Sequence, residues 1–479
     1  PLRRHDMDLA ELAVRYAREG GASYAEARLH RNYYVAYSLK SGEVEPAETA
    51  DSYGLGIRVL VEGALAFTSV NLLTRATVRD AVAAVIRRAR AASAILRRAV
   101  RFSQEKAHQR RWSAPEGQKL RNVDAEEAIS LLKDVDRVIA TYKAAAKIPQ
   151  RLLRLAFGVE EKYFVNSEGA RVEGRIPRVA YIHYLTALLD GQSAQRFRQE
   201  GYSGGWEVLR KIDPMHAAEE DAGILTRILE SAQPAPAGTM DVLLGPEISG
   251  LASHEACGHP QEADRVLGRE GAQAGESYLK PDSLGMRIGS EEANISDDPS
   301  IPNSYGFHLY DDEGVEAVKR HLIRSGCIQE YLHNRSTAAE FGLTSNSAAR
   351  AVSYDREPIV RMANTFVEPG DHTLEELLEG VKVGVYIKSF MEWNIDDKRI
   401  NQRYVGLEAY LVENGHIKHL VKAPVLEITT HRLWSSLDAR GRELVFKAAT
   451  CGKGDPMQPC PVWTGGPVIR LRNVRVGSR

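Results

Sequence analysis

The chain has 479 residues, with 63 Lys and Arg against 64 Asp and Glu, for a net charge of −1. Its length predicts two or three domains of about 150 residues, and 43% hydrophobic with 27% charged residues excludes a disordered, collagen-like or channel-forming chain. Balanced charge removes the plainest mark of a nucleic-acid binder, a strongly basic domain.

In chain order, residues 8–19 place Leu9, Leu12, Ala13 and Tyr16 at helical spacing. Tyr33, Val35, Tyr37 and Leu39 then alternate as a strand does, and Ser41-Gly42 turns the chain. Ile57, Val59 and Val61 alternate again before Glu62-Gly63 and residues 64–69, which predicts a strand meander with Gly at the corners. Residues 79–100 and 124–142 read as long helices; the second carries Ile129, Leu132, Val135 and Ile139 on one face. Strands are expected at 161–166, 170–175 and 179–189, and a helix at 216–232.

Residues 233–238 hold two prolines and a glycine, which makes them the domain boundary. The chain thus divides into 1–235 and 236–479. Beyond the break, 240–244 reads as a strand, and Gly245-Pro246 opens a helix with Pro in its first turn. The last 170 residues read mainly as hairpins. Examples are His308 to Tyr310 before Asp311-Asp312-Glu313-Gly314, and Ile417 to Val421 after Asn414-Gly415. There only residues 373–380 read as helical, with Thr373 and Glu376 forming a capping box.

The four cysteines, Cys257, Cys327, Cys451 and Cys460, are too few for a disulfide scaffold and fit a reducing compartment. No apolar region follows the first arginines, and no run of about 18 apolar residues exists. No membrane association and a cytoplasmic setting are expected.

The informative segment is residues 253–265, which contains His254-Glu255-x-x-x-His259. The common zinc motif separates its histidines by four residues, so that both share one helical face. Here the separation is five, and a regular α-helix would rotate His259 by about 140° from His254. Both rings reach one metal only if the helix widens or breaks between them. Gly258 tolerates irregular backbone and Pro260 donates nothing to the preceding turn, so a π-type turn or a break near Gly258 is predicted. Zinc needs a third protein ligand. Cys257, Glu262, Asp264, Cys451, Cys460 and His308 are all open candidates, and spacing does not choose among them; Cys257 is most simply a small buried hydrophobe.

Residues 250–259 resemble the active-site helix of the TldD/PmbA family of metallopeptidases. Glu262 and Asp264 extend the likeness, as do Asp311 to Gly314, Arg361 to Thr365, Glu408 to Gly415, Cys451-Gly452-Lys453 and the closing run 467–477. Tyr53 to Phe67 carries a weaker likeness in the first half. The resemblance implies an α+β fold: an N-terminal α/β domain of strands and long helices, and a β-rich, barrel-like C-terminal domain with one active-site helix. It also implies a Zn2+ site of His254, His259 and Cys451, with Glu255 as catalytic base, in a dimer. The retained motif is similar to that of the TldD branch, whose partner branch lacks it. The chain departs from the family at Phe390 to Asp396, where bacterial members carry a Gly-rich stretch, and at Cys460.

The expected activity is therefore hydrolysis of short or unfolded polypeptides, in a homodimer or a heterodimer with a motif-less relative. A non-catalytic partner or scaffold subunit is the alternative, against which the intact residue set counts. Arg361 and Asn364 are candidates for contacting the peptide, although an Arg before an apolar strand is more often an exposed ion-pair residue; His308 and His333 read as polar hairpin residues. The basic cluster from Arg87 to Arg111 reads as the solvated face of a helix that buries Val78, Val82, Val85 and Ile86, which argues against nucleic acid. Tyr53-Gly54-Leu55-Gly56 lacks the third glycine of a phosphate loop and reads as a turn.

Overall fold

The long strand Tyr24–Lys40 shows how the first half is built. Its residues Ala25, Ala27, Leu29, Val35 and Leu39 are buried and apolar, while Glu26, Arg28 and His30 are buried and charged or polar. Alternation places these two sets on opposite faces. Four helices cover the apolar face. Arg4–Glu19 and Arg75–Ser93 lie over one end, and Ala125–Ala140 and Pro214–Ser231 over the other. The computed structural model describes residues 2–270 and 276–478.

The sheet behind these helices has eight strands, in the order Ala64–Val70, Glu48–Val61, Tyr24–Lys40, Lys147–Asn166, Arg171–Leu189, Gln109–Ser113, with Glu43–Val44 and Gln192–Ser203 paired alongside. The strands expected at 161–166, 170–175 and 179–189 are parts of just two long strands, Lys147–Asn166 and Arg171–Leu189. Pro177 does not end the second one. On the far side, Gln109–Ser113 pairs with Arg171 to Arg175 and Gln192–Ser203 pairs from Arg178 onward, so Pro177 falls in the gap between partners, where its missing N–H loses no ladder bond. The helix expected at 79–100 begins earlier, at a Thr74–Thr77 capping box, and ends at Ser93 because its buried stripe stops at Ala89.

The polar face of this sheet meets residues 311–357. Arg28 Nη2 donates to the carbonyls of Ser353 at 3.1 Å and Arg356 at 2.7 Å. Arg58 pairs with Glu26 at 2.9 Å and with Glu313 at 2.6 Å, all three nearly inaccessible. Tyr53 to Gly56 lie inside strand Glu48–Val61 and not in the turn expected, and Gly54 packs under the Tyr354 ring.

From residue 233 on, strands dominate as expected, but they form two open sheets of ten and six strands and a separate pair, Ala349–Arg350 with Ile359–Val360; no closed barrel is found among the described residues. Asn414 and Gly415 have positive φ, and they join Ala409–Glu413 to His416–Lys422 as predicted. Thr373 and Glu376 bond reciprocally at the start of helix Leu374–Glu379. Two further short helices, Arg335–Glu340 and Thr430–Ser436, were not expected; six or seven residues are too few to show a helical period. His308 to Tyr310 makes only a single bridge, between Tyr310 and Glu316.

Strand Gly238–Leu244, in the ten-stranded sheet, leads through Gly245 into helix Pro246–Ser253. This helix packs on strands Asn364–Val367, Val445–Lys453 and Gln458–Gly466 of the other sheet. Gly250 permits the approach: a Cβ there would lie 2.8 Å from the Gly465 nitrogen. The helix therefore carries its C-terminal end to the edge strand Val445–Lys453.

Candidate metal centre

Helix Pro246–Ser253 continues into a π-helical turn, His254–Gly258, and then a 3-10 turn, His259–Gln261. The His259 N–H bonds the His254 carbonyl, an i to i+5 bond that brings residues five apart onto one face. The two imidazole centroids are 4.7 Å apart. A Cβ at Gly258 would lie 1.9 Å from Met362 Sδ, so any larger residue there requires the sulfur or the turn to move.

Cys451 arrives from the edge strand. Its Sγ lies 3.3 Å from His254 Nε2 and 3.4 Å from His259 Nε2. One ligand atom from each of the three residues lies within 4.8 Å of the others, and all three residues are buried. Burial lowers both imidazole pKa values, which favours the neutral, ligating form. At Cys451, burial resists ionisation but is outweighed by a proton on His259 and by the Arg361 guanidinium, so that thiol and imidazole compete for one proton, and the thiol is lowered to about 7. Two imidazoles and a thiol are a donor set that suits zinc.

The surroundings hold these donors in place. His259 Nδ1 contacts Glu262 Oε2 at 2.9 Å, and the same oxygen accepts from Arg265 Nε at 2.7 Å. A carboxylate on the far nitrogen leaves Nε2 free to face a metal. Lys453 pairs with Asp264 at 2.7 Å and Glu262 at 3.4 Å. Glu262 and Asp264 are thus supports, not part of the group around the metal position. Arg361 is fully buried, which corrects the reading of an exposed ion-pair residue; it donates to the Cys451 carbonyl and, at 2.6 Å, to that of Gln458. It ties down the hairpin that carries the thiol. Asn364 is also buried, donating to the Asp298 carbonyl at 2.7 Å and Ser304 Oγ at 2.8 Å, so its role is architectural.

The other candidates lie outside this group. Cys257 is fully buried in the core of the second half. His308 is buried, 3.2 Å from the Gly306 carbonyl, and His333 is buried, 3.2 Å from Thr337 Oγ1; neither is the open hairpin residue expected. Cys460 pairs directly across from Cys451 in the strand ladder, and all four thiols are free.

Glu255 is 6% exposed and opens on a cleft of about 530 Å³ shared with His254, His259 and Cys451. Its Oε2 is paired with Arg399 Nη1. Sequence reasoning passed over Arg399, which lies 144 positions away in a stretch that reads as a polar turn. The rest of the wall includes Phe197, Leu251, Phe390 and Trp393.

Residues 25–93, 118–230 and 237–478 match the first, central and C-terminal domains of the PmbA/TldA metallopeptidases. A metalloprotease of Methanocaldococcus jannaschii is 30% identical over 93% of this chain and 95% of its own length. A zinc metalloprotease TldD homolog of Saccharolobus solfataricus is 33% identical over 50% of this chain and 52% of its own length. The crystal structure of TldE from Thermococcus kodakarensis shares the fold, with a TM-score of 0.73 at 17% identity, covering 98% of this chain and all of that one. These relatives and the His–His–Cys group define a metal-binding peptide hydrolase. The chain belongs to the PmbA/TldD metallopeptidase family. No helix among the described residues is long and apolar enough to cross a membrane.

Proposed function

We propose that the chain is a zinc peptidase of the TldD branch that hydrolyses short or unfolded polypeptides. His254, His259 and Cys451 hold the ion, and Glu255 is the general base. The observation that carries this reading is the convergence of three donor atoms within 4.8 Å at a turn whose widened pitch aligns the two histidines. Zinc bound there supplies Lewis acidity to a water and to the scissile carbonyl. Glu255, adjacent to the first imidazole, takes the water's proton and returns it to the leaving amine. The thiolate is a negatively charged donor that tempers this acidity, so slow or selective turnover is expected. An extended substrate adds to the edge of strand Val445–Lys453, which pairs with no further strand among the described residues and whose residues 447–452 line the cleft.

We read the chain as two domains, 1–235 and 236–479, working in the cytoplasm as a homodimer or with a motif-less relative. The alternative, a non-catalytic scaffold subunit, has no observation in its favour. Plasma emission should find one zinc per chain in the wild type and none in Cys451→Ala; retained zinc would move the third ligand elsewhere. Glu255→Gln should keep the zinc and lose hydrolysis of an unfolded-peptide library by at least about 100-fold. Undiminished activity would remove Glu255 from the base role.

A further inference from the structure

Arg399 stands in the turn between strands Phe390–Ile395 and Asn401–Gly406, with φ at +65°. A side chain in that region is disfavoured, and glycine is the usual solution. The turn nevertheless keeps an arginine and fixes its backbone. Arg399 N–H donates to the Asp396 carbonyl at 3.0 Å, and Thr430 Oγ1 donates to the Arg399 carbonyl at 2.5 Å. The Asp396 carboxylate accepts from the N–H groups of Ile400 at 2.7 Å and Asn401 at 3.1 Å. A conformation held this firmly, at the rim of a cleft, points to a task for the side chain.

The guanidinium has donors to spare. It is buried, with 10% of the side chain accessible, and lines the cleft. Nη1 meets Glu255, Nε is buried without a partner, and no bond of Nη2 is found among the described residues. A guanidinium offers five N–H donors in a fork that matches a carboxylate. The other cations of the cleft are engaged: Arg198 with Asp221 at 2.6 Å and Lys447 with Glu200 at 2.5 Å. The same cleft presents two apolar rings, Phe197 at 52% and Trp393 at 40% exposure.

We propose that Arg399 anchors a carboxylate of the peptide substrate, with an apolar side chain of the same residue against Phe197 and Trp393. A C-terminal apolar residue supplies both features at once. The proposal rests on the cleft being the peptidase site, and it adds a second consequence there. Glu255 shares its guanidinium with the incoming carboxylate, so the arriving substrate loosens the Arg399–Glu255 pair and frees the base for its water. Peptides without a carboxylate at this point leave the pair closed.

Fluorescence anisotropy on the full-length protein, with a chelator present to stop turnover, tests the anchor directly. The probes are one labelled hexapeptide ending in Phe as the free acid, the same peptide as the C-terminal amide, and an amide with Glu in place of the final Phe. The free acid should bind at least about 10-fold more tightly than the Phe amide. Arg399→Gln should remove that preference and Arg399→Lys should keep part of it. If the Glu-terminated amide matches the free acid, the carboxylate comes from a side chain and the anchor stands. Equal binding of all three peptides to the wild type overturns the proposal without any variant, as does a preference that survives in Arg399→Gln. With metal present, the acid-to-amide ratio should appear in both KM and kcat, since the anchor also releases Glu255. An absence of hydrolysis from any peptide would instead strike the peptidase reading and leave the binding comparison to speak for itself.

Discussion

At the scale of single residues, the site depends on one hydrogen atom. Gly258 faces Met362 Sδ so closely that Gly258→Ala must push aside either the sulfur or the widened turn. A loss of about 1–3 kcal/mol is expected from such overpacking, read as a shift in the urea midpoint. Met362→Ala in the same chain should return part of the lost urea midpoint, and a double variant no better than Gly258→Ala would show that the contact is not the cause. His333 gives a pH signature. Burial lowers its pKa to about 4, against about 6.5 in the unfolded chain. Between those values the unfolded state binds the proton and the folded state does not. The contribution of His333, about 3 kcal/mol, is therefore complete above pH 6.5 and is lost as pH falls toward 4. His333→Gln should flatten the fall in unfolding midpoint across that window; an unchanged slope would assign it to other buried histidines. The residues lining the cleft differ in how far the sequence disclosed them. A five-residue gap between histidines, with Gly and Pro at its end, required an irregular turn on geometric grounds alone. Arg399 left no such trace, because positive φ and a partner 144 positions away have no signature in composition.

At the scale of elements, helix Pro246–Ser253 is set by how closely it sits on its neighbours. Gly250 lets Pro246–Ser253 lie against Thr464 and Gly465. Gly250→Val should lift the helix from the strands and weaken zinc retention before it abolishes folding. The measurement is the chelator concentration that strips half the metal, compared with the circular dichroism melt; loss of both together would make the effect one of folding alone. Element boundaries were legible where a local device marks them, as at Thr373 with Glu376 and at Asn414-Gly415. They were missed where the cause is distant. Strand Arg171–Leu189 runs through Pro177 because two different neighbours meet there, and that arrangement belongs to the sheet.

At the scale of the whole molecule, the two halves meet through buried charge. Arg58 lies between Glu26 of its own sheet and Glu313 of the second half, with side chains of 4% exposure or less. Arg58→Met would leave both carboxylates buried without their partner, and a loss of about 3–5 kcal/mol is expected. A double variant, Arg58→Met with Glu313→Gln, should recover part of it. If Arg58→Met alone shifts the urea midpoint by less than the experimental error, the halves are held by other contacts. Near-neutral net charge had concealed this face, since composition counts charges without saying which are opposed across an interface.

The thiol that completes the group of three is drawn from a strand 197 positions beyond His254. A ribosome adding about 5–20 residues per second makes that separation a delay of about 10–40 s between the first donor and the third. During that interval the emerging chain can offer an ion only two imidazoles. Capture by all three donors therefore waits until the edge strand takes its place beside the helix, and until then the nascent chain holds an incomplete group.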